Sequence, residues 1–338
     1  MRAPGFWWRE VSWGARALAP VAALFGAIAG RRMDRGVRAD AGLPVICVGN
    51  LTLGGGGKTP TCLALAAAAR GLGLRPGFLT RGYGGRERGA VLVDPARHDA
   101  RAVGDEAMLL AAAAPTAVSR DRLAGARRLC EADCDLAIMD DGFQSAHLRC
   151  DLALVVVDGV RGVGNGRVFP AGPLRAPLMT QLRHADAILT VGAGPDARPG
   201  FAAPGLSHFT ADILSPNGAE FAGVRVLAFS GIADPGKFHR SLRAAGAEIV
   251  ARSDYPDHHV FGADDARGLL QEADSLGARL VTTAKDAQRL HAASAGVVRA
   301  LHERTSVLEH ELRFAGEGDA EAILRRALDA YAAREAAA

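Results

Sequence analysis

Val45–Pro60 reads VICVGNLTLGGGGKTP, and the order of its parts decides the fold. An apolar strand runs straight into a glycine-rich turn that closes on Gly57-Lys58-Thr59. Glycines let backbone N–H groups turn inward around an anion, and a following helix points its positive N-terminus at the same anion. The helix is supplied by Thr61–Gly71, almost entirely alanine and leucine, which are strong helix formers. In the pattern G-x-x-x-x-G-K-[ST] the lysine reaches the β- and γ-phosphates and the Ser/Thr hydroxyl meets Mg²⁺. Here those roles fall to Lys58 and Thr59, with Thr52 standing where the pattern has its first glycine. The expected nucleotide-binding set is Thr52, Gly54, Gly55, Gly56, Gly57, Lys58, Thr59 and Pro60, with ATP and Mg²⁺ as cofactors. A glycine-rich turn that binds nothing is the bland alternative, and strand, loop, Gly-Lys-Thr and helix in this order argue against it.

Outward from that loop, strand, loop and helix repeat from Val45 to about Val191, which predicts a parallel sheet covered on both faces. The strands expected are Val45–Val48, Pro76–Thr80, Ala117–Ser119, Leu136–Met139, Leu152–Val157 and Ala187–Val191. Gly192–Pro204 reads as a linker. Val224–Phe229, Glu248–Ala251 and Arg279–Thr282 then alternate with helical stretches, and a last helix is expected over about Asp319–Ala333. The fold class is therefore α/β: a P-loop NTPase-like parallel sheet domain, a second, smaller α/β domain and an N-terminal membrane-associated helix. The expected bounds are 1–35 for that helix, 36–205 for the P-loop domain and 206–338 for the smaller domain.

Composition narrows the function. A chain of 338 residues suits about two domains. A net charge of +3 from scattered basic residues gives no footprint for nucleic acid, so none is expected as a partner. Lysine occurs only at 58, 237 and 285 in a chain otherwise rich in arginine. Lysine is a compact point charge and arginine a planar fork, so Lys58 fits a phosphate site and Lys285 draws notice. The five cysteines (47, 62, 130, 134 and 150) read as reduced, mostly buried fillers.

All three tryptophans, Trp7, Trp8 and Trp13, precede an apolar run, Ala17–Gly30, closed by Arg31-Arg32. The run is shorter than the ~20 residues that cross a bilayer. Clustered tryptophans and flanking arginines suit an interfacial anchor on anionic lipid. A helix packed on the protein's own core, or a cleaved signal peptide, are the alternatives, and secretion conflicts with use of ATP.

Other stretches carry groups suited to chemistry. Leu136–Asp141 is an apolar strand ending in two acids, Asp140 and Asp141, where a phosphate-loop enzyme holds Mg²⁺. Gly104-Asp105-Glu106 opens a helix, so its acids either cap the helix dipole or include a base for an acceptor hydroxyl. Asp257-His258-His259 lies in a loop of the second unit. Arg81-Gly82-Tyr83-Gly84-Gly85 and Gly162–Pro177, which carries Asn165, Arg167 and Arg175, are loops after strands. Thr282–Asp286 either caps a helix or places Lys285 in the cleft.

Taken in order, GGGGKTP, RGYGG, GDE, DDGFQ, GNGRVFPAGPLRAP, DHH and TAKDA resemble the tetraacyldisaccharide 4′-kinase family of lipid A biosynthesis, over about Val45–Leu290. The resemblance implies transfer of the ATP γ-phosphoryl to the 4′-hydroxyl of a tetraacyldisaccharide 1-phosphate, giving lipid IVA. It implies Lys58 and Thr59 on the nucleotide, Asp105 as base with His258 beside it, and Thr59, Glu106, Asp140 and Asp141 around the metal. Arg81, Tyr83, Asn165 and Arg167 would meet the lipid-linked substrate, at the cytoplasmic face of the bacterial inner membrane, with the enzyme a monomer. Relative to the family's usual pattern this chain has Ser145 for His after DDGFQ, Cys150 for Arg, and Ala176 for Glu in PLREP. A GTPase would need N-K-x-D, and none of Asn50, Asn165 and Asn217 precedes a lysine. A membrane-attached ATP switch leaves the DHH and GNGR stretches unexplained.

Overall fold

The computed structural model describes residues 4–9, 12–36, 38–54, 56–145, 147–192, 194, 199–291 and 296–337. Among these residues thirteen strands form two sheets. In chain order they are β1 (Val45–Asn50), β2 (Pro76–Thr80), β3 (Val91–Leu92), β4 (Thr116–Val118), β5 (Leu136–Asp140), β6 (Leu152–Asp158), β7 (Ala187–Val191), β8 (Ser207–Leu214), β9 (Arg225–Ser230), β10 (Glu248–Asp254), β11 (Arg279–Thr283), β12 (Thr305–Leu308) and β13 (Glu311–Phe314). The large sheet has the order β13-β8-β7-β6-β1-β5-β2-β4-β3, and the small one β10-β9-β11-β12. Every pair is parallel except the two edges of the large sheet, where β13 and β3 run antiparallel to their neighbours.

Burial explains the apolar runs. All residues of β1, β2, β5 and β7 are buried, because the sheet is covered on both faces. Ile46 and Val48 of β1 pack with Cys62, Leu65 and Ala69 of the helix Lys58–Gly71 and with Ile323 and Leu324 of the helix Asp319–Glu335. Val45 and Cys47, pointing the other way, pack with Leu129, Leu174, Leu182 and Met33. The chain leaves β1 toward β2 and leaves β6 toward β7, in opposite directions, so a crevice opens between the carboxyl ends of β1 and β6. The glycine-rich loop lies at that point.

The division expected at residue 205 differs from what the sheets show. After β8 the chain departs to build the small sheet, and it returns to the large one with β13 and the helix Asp319–Glu335. The small sheet is an insertion within the large unit. The two crossing segments are tied by Asn217, which donates to the Val307 carbonyl (2.9 Å) and accepts from the Glu309 N–H (3.0 Å). Strands near the end of the sheet, such as β8, bury only part of most side chains, and their half-apolar pattern does not tell which sheet they join.

The N-terminal helix Ala19–Arg35 packs through a stripe of small residues, Ala22, Gly26 and Gly30, against Val168, Pro177 and Thr180. Its opposite face is apolar too, with Val21, Leu24, Phe25 and Ile28 exposed. No described helix is long and apolar enough to cross a membrane.

Gly49 of β1 lies directly beneath Phe143, and a Cβ there would stand 2.2 Å from the Phe143 Cβ. Gly49→Ala is expected to cost about 1–3 kcal/mol by overpacking. In calorimetry that is a melting temperature lower by roughly 2–10 °C; an unchanged value would show that Phe143 yields freely.

Candidate active site

The glycine-rich loop is shaped by its own backbone and pinned from one side. Gly54 and Gly57 take φ of 109° and 96°, a region that side chains with a Cβ rarely enter. Gly57 caps the helix Lys58–Gly71, and the Thr61 hydroxyl donates to the Gly57 carbonyl at 2.8 Å. Pro60 falls in the first turn of that helix, where no intrahelical N–H bond is lost. Asn50, buried at the end of β1, donates to the Gly54 carbonyl (3.0 Å) and accepts from Lys58 Nζ (3.3 Å). Thr52 pairs as an isolated bridge with Leu174, and Arg175 donates to the Thr52 carbonyl at 3.1 Å. Gly55 lies outside the described residues.

The two acids that end β5 have different surroundings. Asp140 is buried beside Val48 of β1, and its Oδ2 accepts from the Thr59 hydroxyl at 3.2 Å. Its Oδ1 is buried with no hydrogen-bond partner among the described residues. Burial, and then the charge of Glu106, push the Asp140 carboxyl up to about 7 despite the pull of Lys58. Asp141 is the counter-ion of two cations: Arg175 reaches it at 2.8 and 3.2 Å and Lys58 stands 3.7 Å away. Burial raises Asp141, but Lys58 and Arg175 bring it below the usual carboxylate range.

Across the cleft, Asp105 and Glu106 begin the helix Asp105–Ala111 of the large unit, and both meet cations of the small unit. The helix Ala284–His291 places Lys285 and Arg289 one turn apart on one face. Lys285 Nζ is 2.5 Å from Glu106 Oε1. The buried Arg289 guanidinium bonds Asp105 Oδ2, Asp286 Oδ1 (2.7 Å) and the Gly231 carbonyl (2.6 Å). His258 Nδ1 lies 3.4 Å from Asp105 Oδ2. The histidine backbone is left-handed at φ 58°, held by its N–H on the Gly231 carbonyl at 3.0 Å. Burial raises Asp105, yet His258 and Arg289 hold it well below the usual range. The same hydrogen bond raises His258 against the opposite effect of burial. His259 does other work, stacking on Tyr255 with ring centroids 4.5 Å apart and pairing with Asp265 at 2.9 Å.

The Arg81–Gly85 loop explains its glycines. A Cβ on Gly104 would lie 2.6 Å from the Tyr83 carbonyl, and one on Gly85 2.7 Å from the Ala102 carbonyl. Bare backbone on both sides lets this loop press against the turn that presents Asp105. Tyr83 is exposed, and its ring lies 5.0 Å from that of His258; Arg81 is exposed on the same loop.

Asn165, expected at the sugar, is committed to its own loop. It donates to the Ala171 carbonyl (2.9 Å) and accepts from the Arg167 N–H (3.1 Å). Its role in this structure is to hold GNGRVFPAGP in shape. Arg167 is half-buried, with an Nε that has no partner among the described residues. Sequence reasoning missed Arg289, although its spacing of four from Lys285 on a helix is the signal that finds it. Nor does the sequence show that Arg175 braces Asp141 against the loop carbonyl of Thr52.

Residues 14–329 match the family pattern described as Tetraacyldisaccharide-1-P 4′-kinase. The tetraacyldisaccharide 4′-kinase of Sinorhizobium fredii is 50% identical over 315 residues, 92% of this chain and 91% of its own length. That of Brucella anthropi is 47% identical over 335 residues, 98% of each chain. A crystal structure of LpxK from Aquifex aeolicus in complex with ATP is similar at a TM-score of 0.73 and 25% identity, over 93% of this chain and 99% of that one.

The Asp140 environment sets a pH dependence. A carboxyl whose folded pKa lies above its unfolded value contributes stability at low pH that is lost as pH rises through the folded value, here about 7. In EDTA, Asp140→Asn should therefore melt several degrees above wild type at pH 8 and close to it near the unfolded carboxyl value, at about pH 4. Equal shifts at both values would show that the carboxyl is ionised throughout.

Proposed function

The chain belongs to the tetraacyldisaccharide 4′-kinase family, and from that membership we infer that it transfers the γ-phosphoryl of ATP to the 4′-hydroxyl of a tetraacyldisaccharide 1-phosphate, a step of lipid A biosynthesis. One observation carries the assignment of parts: Asp105 with His258 lies across the cleft from Lys58 and the Thr59–Asp140 pair.

Phosphoryl transfer needs alignment and charge neutralisation more than covalent chemistry. Lys58 and the loop N–H groups hold the nucleotide phosphates, and Thr52 to Pro60 shape the pocket around them. Asp105, kept ionised by Arg289 and His258, accepts a hydrogen bond from the acceptor hydroxyl and so aims its oxygen. Because its pKa is depressed, it takes the proton late, once the oxygen has begun to bond phosphorus. His258 orients that carboxylate. Tyr83 and Arg81 border the acceptor side, and Arg167 offers an unpaired guanidinium nitrogen to substrate.

Thr59, Asp140 and Glu106 are the residues to hold Mg²⁺, with Asp141 beside them. The orphaned, buried Asp140 Oδ1 supports this fit. Among the described residues no group of three His, Cys, Asp or Glu could hold a metal alone, which suits an ion that keeps waters and completes its shell with phosphate. When bound, Mg²⁺ neutralises charge on the phosphate oxygens.

We place the enzyme on the cytoplasmic face of the inner membrane through its N-terminal helix. Support comes from Trp13, Leu24 and Ile28, exposed by 85, 65 and 62%, and from the arginines 31, 32 and 35 that end the helix. An acyl-chain substrate can then enter the cleft from lipid.

In a radiolabelled ATP assay with detergent-dispersed disaccharide 1-phosphate, transfer should require the acceptor. Lys58→Ala should abolish it, and Asp105→Asn should lower kcat by about 10²–10⁴ with ATP affinity little changed. Loss in Lys58→Ala alone would reduce Asp105 to a helix cap. ATP hydrolysis without transfer would sink the kinase assignment. Leu24→Glu/Ile28→Glu should weaken flotation with anionic vesicles at least about tenfold, and wild-type flotation of that variant would move the membrane contact elsewhere.

A further inference from the structure

The helix Ala284–His291 sends two cations into the cleft, and they are held in opposite ways. Arg289 is fixed: Asp105, Asp286 and the Gly231 carbonyl surround its guanidinium, and the Asp286 carboxylate is itself bound by the Gly231 N–H (3.0 Å) and the Thr283 hydroxyl (2.7 Å). Among the described residues Lys285 has a single hydrogen-bond partner, Glu106 Oε1, and both side chains remain about a third exposed, at 32 and 27%. The ammonium group also feels Asp105 and Asp140, so it sits among the carboxylates of the acceptor side and of the metal side.

Residue type points the same way. Of 40 lysines and arginines only three are lysine, and each is paired with an acid at the carboxyl edge of the large sheet. Lys58 faces Asp141 at 3.7 Å, Lys237 faces Asp158 at 3.5 Å and Lys285 faces Glu106 at 2.5 Å. An ammonium on a flexible stem can move from one acceptor to another, which a forked guanidinium bound on several sides cannot. Nucleotide adds more negative charge to the cleft than one Mg²⁺ removes, and a metal beside Glu106 weakens that carboxylate's hold on Lys285.

We propose that Lys285 is a catalytic residue delivered by the small unit: with nucleotide bound it leaves Glu106 and contacts the γ-phosphoryl oxygens during transfer. The proposal rests on the kinase assignment above. In the step, the acceptor oxygen bonds to the γ-phosphorus and the bond from that phosphorus to the β,γ-bridging oxygen breaks, leaving ADP. The hydroxyl proton passes to Asp105, and Lys285 keeps its own proton throughout. Its charge is placed where it strengthens as negative charge spreads over the transferring group.

The test compares ADP with ADP plus aluminium fluoride and Mg²⁺, a mimic of the transferring phosphoryl, on the full chain by displacement of a fluorescent ADP. Lys285→Gln should bind ADP within about twofold of wild type and the fluoride complex about 100-fold more weakly. Its kcat should fall by a similar factor with the lipid KM unchanged, and Lys285→Arg should recover part of the loss. Equal weakening of both complexes, or of neither, would overturn the proposal. A second measurement needs no variant: acetylation of wild-type lysines, read by mass spectrometry, should fall at Lys285 at least about fivefold more with the fluoride complex than with ADP, and equal protection would also overturn it. Acceptor-dependent transfer by wild type keeps the two ideas apart. Its absence overturns the kinase assignment and this proposal with it, whereas its presence alongside unaltered Lys285→Gln kinetics overturns the role of Lys285 alone.

Discussion

The buried guanidinium of Arg289 is the interaction on which the cleft depends. It belongs to the small unit, yet one of its two carboxylates, Asp105, belongs to the large one. Removing either partner of such a buried pair leaves a charge without compensation, at a cost of about 3–5 kcal/mol. The two α/β units are thereby held with Asp105 facing His258. The Gly231 carbonyl extends this control, because it receives both the arginine and the His258 N–H. Backbone position and side-chain charge are set by the same few atoms.

A second constraint runs along the wall made by residues 164–177. On one side it carries the N-terminal segment: the Trp7 indole donates to the Pro170 carbonyl at 3.0 Å, and Phe25 packs edge-on to Phe169. On the other side it carries the phosphate loop through the Thr52–Leu174 bridge, the Leu53 N–H on the Pro173 carbonyl (2.8 Å) and the Arg175 side chain. The exposed apolar helix and the glycine-rich loop are therefore both anchored on the same segment. Ala176 fits this reading, since it is fully buried here, where a glutamate would need a partner for its charge.

How much of this was legible in the sequence depends on whether a feature is local. The phosphate loop, the strand ending in Asp140 and the helix opening at Asp105 are short runs whose chemistry and geometry are set by neighbours in the chain. The parallel sheet was legible for the same reason, since each βα unit writes its own pattern. The return of the chain with β13 was not, because an antiparallel edge strand of four residues carries too little pattern to name its sheet. The hydrogen bonds of Asn165 and Arg175 were not legible for a related reason. A polar side chain in a glycine-rich loop serves equally well for substrate or for its own backbone, and only the folded loop decides which. Arg289 stood in plain view on a helix, but its meaning required Asp105, 184 residues away.

The cleft is a set of charges that largely balance one another. Asp141 is covered by Lys58 and Arg175, Glu106 by Lys285, and Asp105 by Arg289 and His258, while burial pushes Asp140 toward its neutral form. Lys58 stands beside the glycine-rich loop, held between Asp141 and the Asn50 side chain. The one poorly compensated acid is the one a divalent ion would relieve. By the same charge argument, a cation beside Asp140 and an anion beside Lys58 would each favour the binding of the other.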